Sequence, residues 1–411
     1  MLRRAPITFA FALVFACVLT SPQTASAQEP EPFRGDEIDG RDFEYRDDGF
    51  LQRFSYEFHP LRSREWDNNP QGVRGTAGSV TSDEFWVYTQ AQKRFDIRDR
   101  LQFDLRHLVT EDFDTRYQRT LTGIAAQIFD TPWTATILSE VIANKPEIDI
   151  HLETAWRGEN GDRARFSVIM VDAVPDKSDE FDYETRPFTY FGEVRMSPWT
   201  KWTLHGWTNL NTPTRRAQTQ EGFDFTYAQY TGGMRADWDV TESCVVRMET
   251  HGGFTRRSRR QTDSSIDSSI EQRFSRRFLS SRLDVILKTS ETWSWRFGAR
   301  YFRLDERDSR PLSIGDTERN RRRDFIASVG FDWMINETVR FWPTLFIDRI
   351  DNREGFPNDP ARRVDKDENF FGKLNLPIGV VWEKATIDFN TTVLLHELAF
   401  GGGNIQIQVE F

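Results

Sequence analysis

Acidic and basic side chains recur two residues apart in several stretches of this sequence. The pairs are Glu193/Arg195, Arg235/Asp237, Arg247/Glu249 and Arg282/Asp284. If these stretches are extended strands, both members of a pair project from one face, because side chains alternate between the two faces of a strand. That face could select ions by its charge, or its charges could pair across neighbouring strands.

Catalytic chemistry has little support in the sequence. The six histidines are dispersed, one to a stretch: His59, His107, His151, His205, His251 and His396. They lack metal-ligand spacing, and no nucleophile motif accompanies them. The sequence therefore predicts no enzyme, no metal site and no cofactor.

Aromatic and apolar residues occupy the positions between the charges. In the stretch 292–303, Trp293, Trp295 and Phe297 alternate with polar positions that include Arg296 and Arg300. A helix would scatter these residues around its circumference, whereas a strand separates them into an apolar and a polar face. The mean hydropathy of −0.62 beside 14% aromatic residues fits strands that show lipid on one face and water on the other.

This alternation predicts an all-β fold of about eighteen strands, with sixteen as an alternative count. Most predicted strands are near the length of about 9–11 residues that a tilted membrane strand needs. They span 50–59, 84–95, 100–109, 117–129, 133–142, 148–157, 163–172, 187–197, 201–210, 225–238, 244–254, 276–288, 292–303, 324–335, 338–348, 369–382, 385–395 and 403–411.

Short and long connections alternate along most of the chain. This is typical of an antiparallel membrane barrel with short periplasmic turns and long external loops. The predicted long connections span about 60–83, 173–186, 211–224, 255–275, 304–323 and 349–368.

The N-terminal segment predicts export. Arg3 and Arg4 precede an apolar run, and Ala25-Ser26-Ala27 forms a cleavage site, so residues 1–27 are predicted to be a removable signal peptide. Loss of the two arginines takes the formal net charge from −10 to −12. Residues 28–49 are predicted to be an acidic, flexible periplasmic tail, and residues 50–411 the barrel. The acidic balance gives no support to a nucleic-acid partner, and Cys244 alone cannot form an internal disulfide.

The last residues complete a resemblance to bacterial outer-membrane porin-type barrels. The alternation of Ile407, Val409 and the terminal Phe411 is similar to the signal read by the barrel-assembly machinery in that class. The resemblance covers roughly residues 50–411 and implies the outer membrane as the location. It extends to polysaccharide-export barrels of similar strand number.

Such a barrel has a polar interior, and the alternation predicts which charges line it. Because charge facing lipid is unfavourable by about 2–4 kcal/mol at the midplane, we expect these groups to point inward. Two interpretations remain, a selective charged wall and register-holding ion pairs. The predicted lining residues are Arg195, Arg235, Arg247, Arg282, Lys288, Arg296, Arg300, Arg340, Lys373, Glu193, Asp237, Glu249, Asp284, Asp332, Asp348 and Asp388.

Clusters of arginine mark the predicted loops. Arginine binds phosphate through two parallel donors, so these clusters are predicted to contact lipopolysaccharide or an anionic solute. The clusters comprise Arg256, Arg257, Arg259 and Arg260, and then Arg321, Arg322 and Arg323.

Tryptophans fall into two predicted groups. Six lie near turn-side strand ends and suit an aromatic girdle at the membrane interface: Trp199, Trp202, Trp238, Trp293, Trp333 and Trp382. Trp86, Trp207 and Trp342 are predicted on the inner face, where they could stack on sugars or pack against a loop.

The sequence therefore predicts a passive outer-membrane channel for small hydrophilic solutes. One alternative is a conduit for polysaccharide export that works with periplasmic components. Another is a filled barrel that serves as a structural or adhesion scaffold.

Overall fold

The computed structural model describes thirteen segments of the chain. They are residues 72–79, 85–111, 116–143, 148–158, 162–174, 182–185, 188–218, 223–263, 268–309, 318–355, 365–382, 385–395 and 398–410. The predicted strand 50–59, the signal peptide, the acidic tail and Phe411 lie outside these segments.

Nearly all of the described chain is β-strand. The strands are β1 (Gly72–Ser79), β2 (Phe85–Arg98), β3 (Leu101–Glu111), β4 (Arg116–Gln127), β5 (Trp133–Ala143), β6 (Ile148–Arg157), β7 (Arg163–Val174), β8 (Asp182–Thr185), β9 (Phe188–Trp199), β10 (Trp202–Gln218), β11 (Phe223–Thr241), β12 (Cys244–Asp263), β13 (Ser268–Lys288), β14 (Trp293–Ser309), β15 (Glu318–Met334), β16 (Val339–Phe341), β17 (Thr344–Gly355), β18 (Asp365–Trp382), β19 (Ala385–Leu394) and β20 (Ala399–Glu410).

The strands form a closed antiparallel barrel. Successive strands pair along the chain, and β1 closes the wall by pairing with both β2 and β20. Two passes through the wall consist of two segments each: β8 with β9, which share the partner β10, and β16 with β17, which share β15 and β18. The twenty described segments therefore make eighteen passes, and the predicted fold class is confirmed.

The first described pass differs from the prediction. Residues 60–83 were expected to be a long connection, but Gly72–Ser79 is a strand that pairs on both sides. Its sequence, GVRGTAGS, has few large apolar residues, so it lacks the alternation by which the other strands were found.

A proline divides the predicted strand 338–348. The pass stops at Phe341 and resumes at Thr344, because Pro343 has no backbone N–H to give to the ladder. Neighbouring strands still hold the break, since Phe331 N–H donates to the Pro343 carbonyl and Trp342 N–H donates to the Pro377 carbonyl, both at 3.2 Å.

The predicted long loops are largely strand. Between β12 and β13 the ladder runs without a shift up to the pair Asp263–Ser268, so most of the predicted loop 255–275 is a β-hairpin. The predicted loops 304–323 and 349–368 also begin and end in strand. The arginines of these segments therefore occupy fixed register positions on a sheet.

Burial alternates along β15 as the predicted pattern requires. In β15, Asp324 and Ile326 are 0% and 2% exposed, whereas Phe325 and Val329 are 58% and 36% exposed. The exposed face of the barrel is apolar and the buried face is mixed polar and charged. This is the arrangement of a wall that faces lipid outside and a polar interior inside.

We expect that Ile407→Pro will prevent the barrel from closing. Ile407 lies in β20 opposite Gly75 of β1 and Ile387 of β19, so its backbone belongs to the closing ladder. A proline removes one N–H donor there, and lipid offers no replacement partner. The folded fraction, measured as heat-modifiable mobility on gels, should fall sharply, whereas Ile407→Val should behave as the natural protein. Equal folded fractions for both variants would contradict this role of β20.

Candidate functional site

A row of basic side chains crosses the inner wall from β7 to β14. The register places Arg163 opposite Arg195, Arg195 opposite His205, and His205 opposite Arg235. It then continues through Glu249 and Arg282 to Arg300. We name this set of seven residues the basic row.

Positive charge exceeds negative charge around the basic row. In the row and the two inner rows that flank it, the described residues of β7 to β14 include seven arginines and four carboxylates. The arginines are Arg163, Arg165, Arg195, Arg235, Arg247, Arg282 and Arg300, and the carboxylates are Glu193, Asp237, Glu249 and Asp284. Within these three rows the arginines therefore outnumber the carboxylates by three.

Two of these carboxylates are each shared by two basic side chains. Asp237 accepts hydrogen bonds from Arg235 at 3.0 Å and from Arg247 at 2.7 Å. Glu193 contacts Arg165 at 3.1 Å and His205 at 3.0 Å. Asp284 pairs with Arg282 of its own strand at 2.7 Å. These pairs stabilise strand register and leave a net positive charge in these three rows, so both interpretations of the charges apply.

The inner wall is not uniformly open. Along the basic row, His205 and Arg235 are each 17% exposed and Glu249 is 35% exposed at the side chain. Exposure then falls to 8% at Arg282 and 4% at Arg300. Water therefore reaches the row mainly between β10 and β12.

The inner wall is packed where the basic row ends on β14 and on the strands that follow, β15 and β17. Phe302, Leu304, Ile326 and Phe346 point inward and form an apolar cluster in which each is at most 4% exposed. This cluster is unusual for the inside of a barrel and fills space that a pore would use.

Charged groups lie buried in the same packed wall. Arg322 donates to Asp324 at 3.0 Å, and Asp324 is fully buried. Asp348 and Lys373 are 0% and 1% exposed, and neither carboxylate oxygen of Asp348 accepts a hydrogen bond among the described residues.

The other predicted lining residues occupy the turn-side part of the inner wall. Arg340 pairs with Asp332 across the β15–β16 turn, and Asp388 is 4% exposed beside Gly379. Arg296 lies opposite Gly330, and Lys288 is exposed at the end of β13. The structure thus places Arg296 and Lys288 outside the basic row, nearer the turns.

The hairpin arginines separate by face. Arg321 and Arg323 are exposed on the outer face, but Arg322 between them points inward and is 7% exposed, so it is not accessible to a lipid head group. Arg256, Arg257 and Arg260 are exposed on β12. Of these, Arg257 occupies a position that faces the lumen. Arg259 lies in the same strand.

The tryptophans at the turn-side strand ends lie on the outer surface. Trp199 and Trp382 are 62% and 50% exposed. Trp202 stacks on Trp238 with ring centroids 5.4 Å apart, and Trp293 lies 6.0 Å from Trp333.

Two of the predicted inner tryptophans can be located. A Cβ placed on Gly233 would lie 2.8 Å from the Trp207 ring nitrogen, and one placed on Gly379 would lie 2.7 Å from the Trp342 ring. Both rings therefore lie close against glycines of the inner wall. Trp342 is 2% exposed, so packing is the role its burial supports.

Sequence reasoning missed part of this site. Arg163 and Arg165 extend the basic row and its flanking row onto β7, and they could have been found, since both alternate with apolar residues in a predicted strand. The rows themselves depend on the register between strands, which alternation within one strand does not specify.

The described residues contain no group of three or more His, Cys, Asp or Glu arranged to hold a metal ion. None of the described segments is a helix long and apolar enough to span a membrane.

A closed antiparallel wall with an apolar, aromatic outer face and a charged inner face defines the class of transmembrane β-barrels. No protein-family model and no curated protein matches the chain. Three solved structures that resemble it are as follows. OccK11 (OpdR) of Pseudomonas aeruginosa is 10% identical, with 83% of this chain and 94% of that chain covered and a TM-score of 0.39. A bacterial polysaccharide outer membrane secretin is 9% identical, with 83% and 97% covered and a TM-score of 0.38. An anion-selective porin from Comamonas acidovorans is 8% identical, with 83% and 98% covered and a TM-score of 0.35. Similarity at this level carries no information about function.

Proposed function

We propose that the protein is an outer-membrane channel for the passive passage of small hydrophilic solutes and that it favours anions. The observation that supports this is the basic row, in which five arginines and one histidine align across seven neighbouring strand positions. Like charges directly opposite each other on a sheet are unfavourable. An anion in the lumen relieves that repulsion.

The protein reaches this membrane after cleavage of residues 1–27, and the barrel-assembly machinery inserts it through its last strand. The tight turns and the N-terminal tail then lie on the periplasmic side. The extended hairpins lie outside.

Field focusing explains how the row acts. Charge on a wall that is backed by hydrocarbon projects into the lumen, because the low-dielectric wall confines the field. An arginine about 5 Å from a monovalent anion in water stabilises it by about 0.8 kcal/mol. Anions that pass through the lumen beside β10 to β12 meet several such groups. Cations meet the same groups as a barrier.

Planar-bilayer recording of the purified protein in a potassium chloride gradient tests the proposal. Steady conductance with a reversal potential of the anion-selective sign is expected. Steady conductance with cation selectivity would overturn the anion preference.

A filled barrel is the second candidate, and the buried cluster of Phe302, Leu304, Ile326 and Phe346 favours it. Absence of conductance under every condition would support this candidate and overturn the channel proposal. Conductance that appears only after removal of an external hairpin would instead support a gated export conduit for an anionic polymer.

A further inference from the structure

Arginines face each other on the outer side of the hairpins that extend β14, β15 and β17. The register sets Arg303 opposite Arg323 and Arg307 opposite Arg319. It sets Arg321 opposite Arg353. Directly opposed like charges destabilise a pair of strands, because their Cβ atoms are only about 4.5–5.5 Å apart. We name these six residues the outer arginine patch.

Carboxylates neutralise only part of this patch. Asp305 accepts a hydrogen bond from Arg319 at 2.9 Å and lies 3.7 Å from Arg321 and 3.9 Å from Arg307. Arg353 donates to Asp351 at 3.3 Å. By contrast, Arg303 and Arg323 are both exposed. The register sets Asp351 opposite Arg323, but Asp351 already accepts the hydrogen bond from Arg353.

The concentration of positive charge in the patch shifts the pKa values of two of its side chains. Burial alone would raise the pKa of the Asp305 carboxyl, but the hydrogen bond from Arg319 and the positive charges around it lower that pKa below its ordinary value. Desolvation and the charge of Arg319 lower the pKa of the Arg321 guanidinium. An added anion would relieve the repulsion among these arginines.

The patch begins where the apolar band ends. The next outward positions below Arg303 and Arg323 are Tyr301 and Phe325, and Phe325 is 58% exposed. On β14, Arg303 lies ten residues from Trp293. On β15, Arg323 lies ten residues from Trp333, which belongs to the aromatic girdle. Ten residues of a strand tilted by about 40° rise about 25 Å, which is the height of the apolar band in such barrels.

We propose that the outer arginine patch binds the phosphate groups of lipid A, the membrane anchor of lipopolysaccharide, while Phe325 and Phe370 contact its acyl chains. Phe370 is 70% exposed on β18 at the same level as Phe325. The opposed guanidinium pair of Arg303 and Arg323 presents the two-pronged donors that phosphate accepts. The inference rests on the outer-membrane location in the proposed function but not on conductance.

The outward direction of the patch favours a lipid over a free solute as its ligand. All six arginines project away from the lumen, and Arg322, the neighbour that points inward, is already bonded to Asp324. A free anion in the lumen therefore meets the basic row and not this patch. The adjoining apolar surface offers further contact only to an anion that carries acyl chains.

The double variant Arg303→Gln/Arg323→Gln tests the site. We expect it to bind bisphosphorylated lipid A in detergent micelles at least about tenfold more weakly than the natural protein, the effect of losing one charge-assisted hydrogen bond. Tryptophan fluorescence titration measures the affinity. The matched control Arg257→Gln/Arg276→Gln removes two arginines at a similar height from inward-facing positions, and it should retain the natural affinity.

A second variant separates binding from structure. Asp305→Asn removes the acid that competes with phosphate, so lipid A should bind more tightly. Unchanged or weaker binding in this variant would contradict the site. So would equal losses in the double variant and its control, or inhibition by inorganic phosphate at the concentrations at which lipid A binds. If lipid A binds as predicted but bilayers show no conductance, the channel proposal fails and this inference stands.

Discussion

Met234→Arg is expected to destabilise the barrel by about 2–4 kcal/mol, the penalty for an arginine that faces lipid near the bilayer midplane. Met234 is 58% exposed on the outer face of β11, four residues above Trp238 of the aromatic girdle. The barrel can avoid the penalty only by thinning the bilayer or bending the side chain toward a head group. Reversible urea unfolding in lipid vesicles, followed by tryptophan fluorescence, measures the change.

Thr231→Arg is the control on the same strand. Thr231 faces inward and is partly exposed, between Asn209 of β10 and Gly253 of β12. The arginine should therefore change stability by less than about 1 kcal/mol. Equal destabilisation by the two variants would contradict the assignment of faces.

The second large effect concerns ion selectivity. Arg195→Gln/Arg235→Gln should shift the reversal potential in a salt gradient toward cations, because the loss of about 0.8 kcal/mol for each arginine lowers anion permeability about fourfold. Folding should persist, because Asp237 keeps its hydrogen bond with Arg247. The shift should shrink in 1 M salt, where the screening length is about 3 Å.

Arg303→Gln/Arg323→Gln serves as the control for this measurement, since it removes the same charge from the outer face. Its reversal potential should equal that of the natural protein. A variant of the basic row that folds poorly yet keeps its selectivity would show that these arginines only hold strands in register.

Alternation within the sequence was enough to predict seventeen of the eighteen passes, because each contains apolar residues at every second position. The stretch Gly72–Ser79 was missed, since glycine, serine and alanine give no such signal. The interruption at Trp342–Pro343 could have been foreseen from the proline alone.

The site was harder to predict than the fold. Alternation assigns Arg300 and Arg322 to a face, but it does not show that Arg300 lies beside Arg282 or that Arg322 bonds to Asp324. Those contacts depend on register and on which side of the lumen is packed. Both follow from the closure of the whole sheet, which no single stretch of sequence encodes.

The hairpin of β12 and β13 continues for nine more residues on β12 beyond the pair Phe254–Arg277, where the strands leave the apolar band. Above that pair, water can replace a broken ladder bond, but below it lipid cannot. Transient unzipping should therefore start at the Asp263–Ser268 tip and stop near Phe254. Amide hydrogens of the upper hairpin are then expected to exchange with solvent much faster than those below. The membrane boundary should appear as an abrupt change in exchange rate along a single strand.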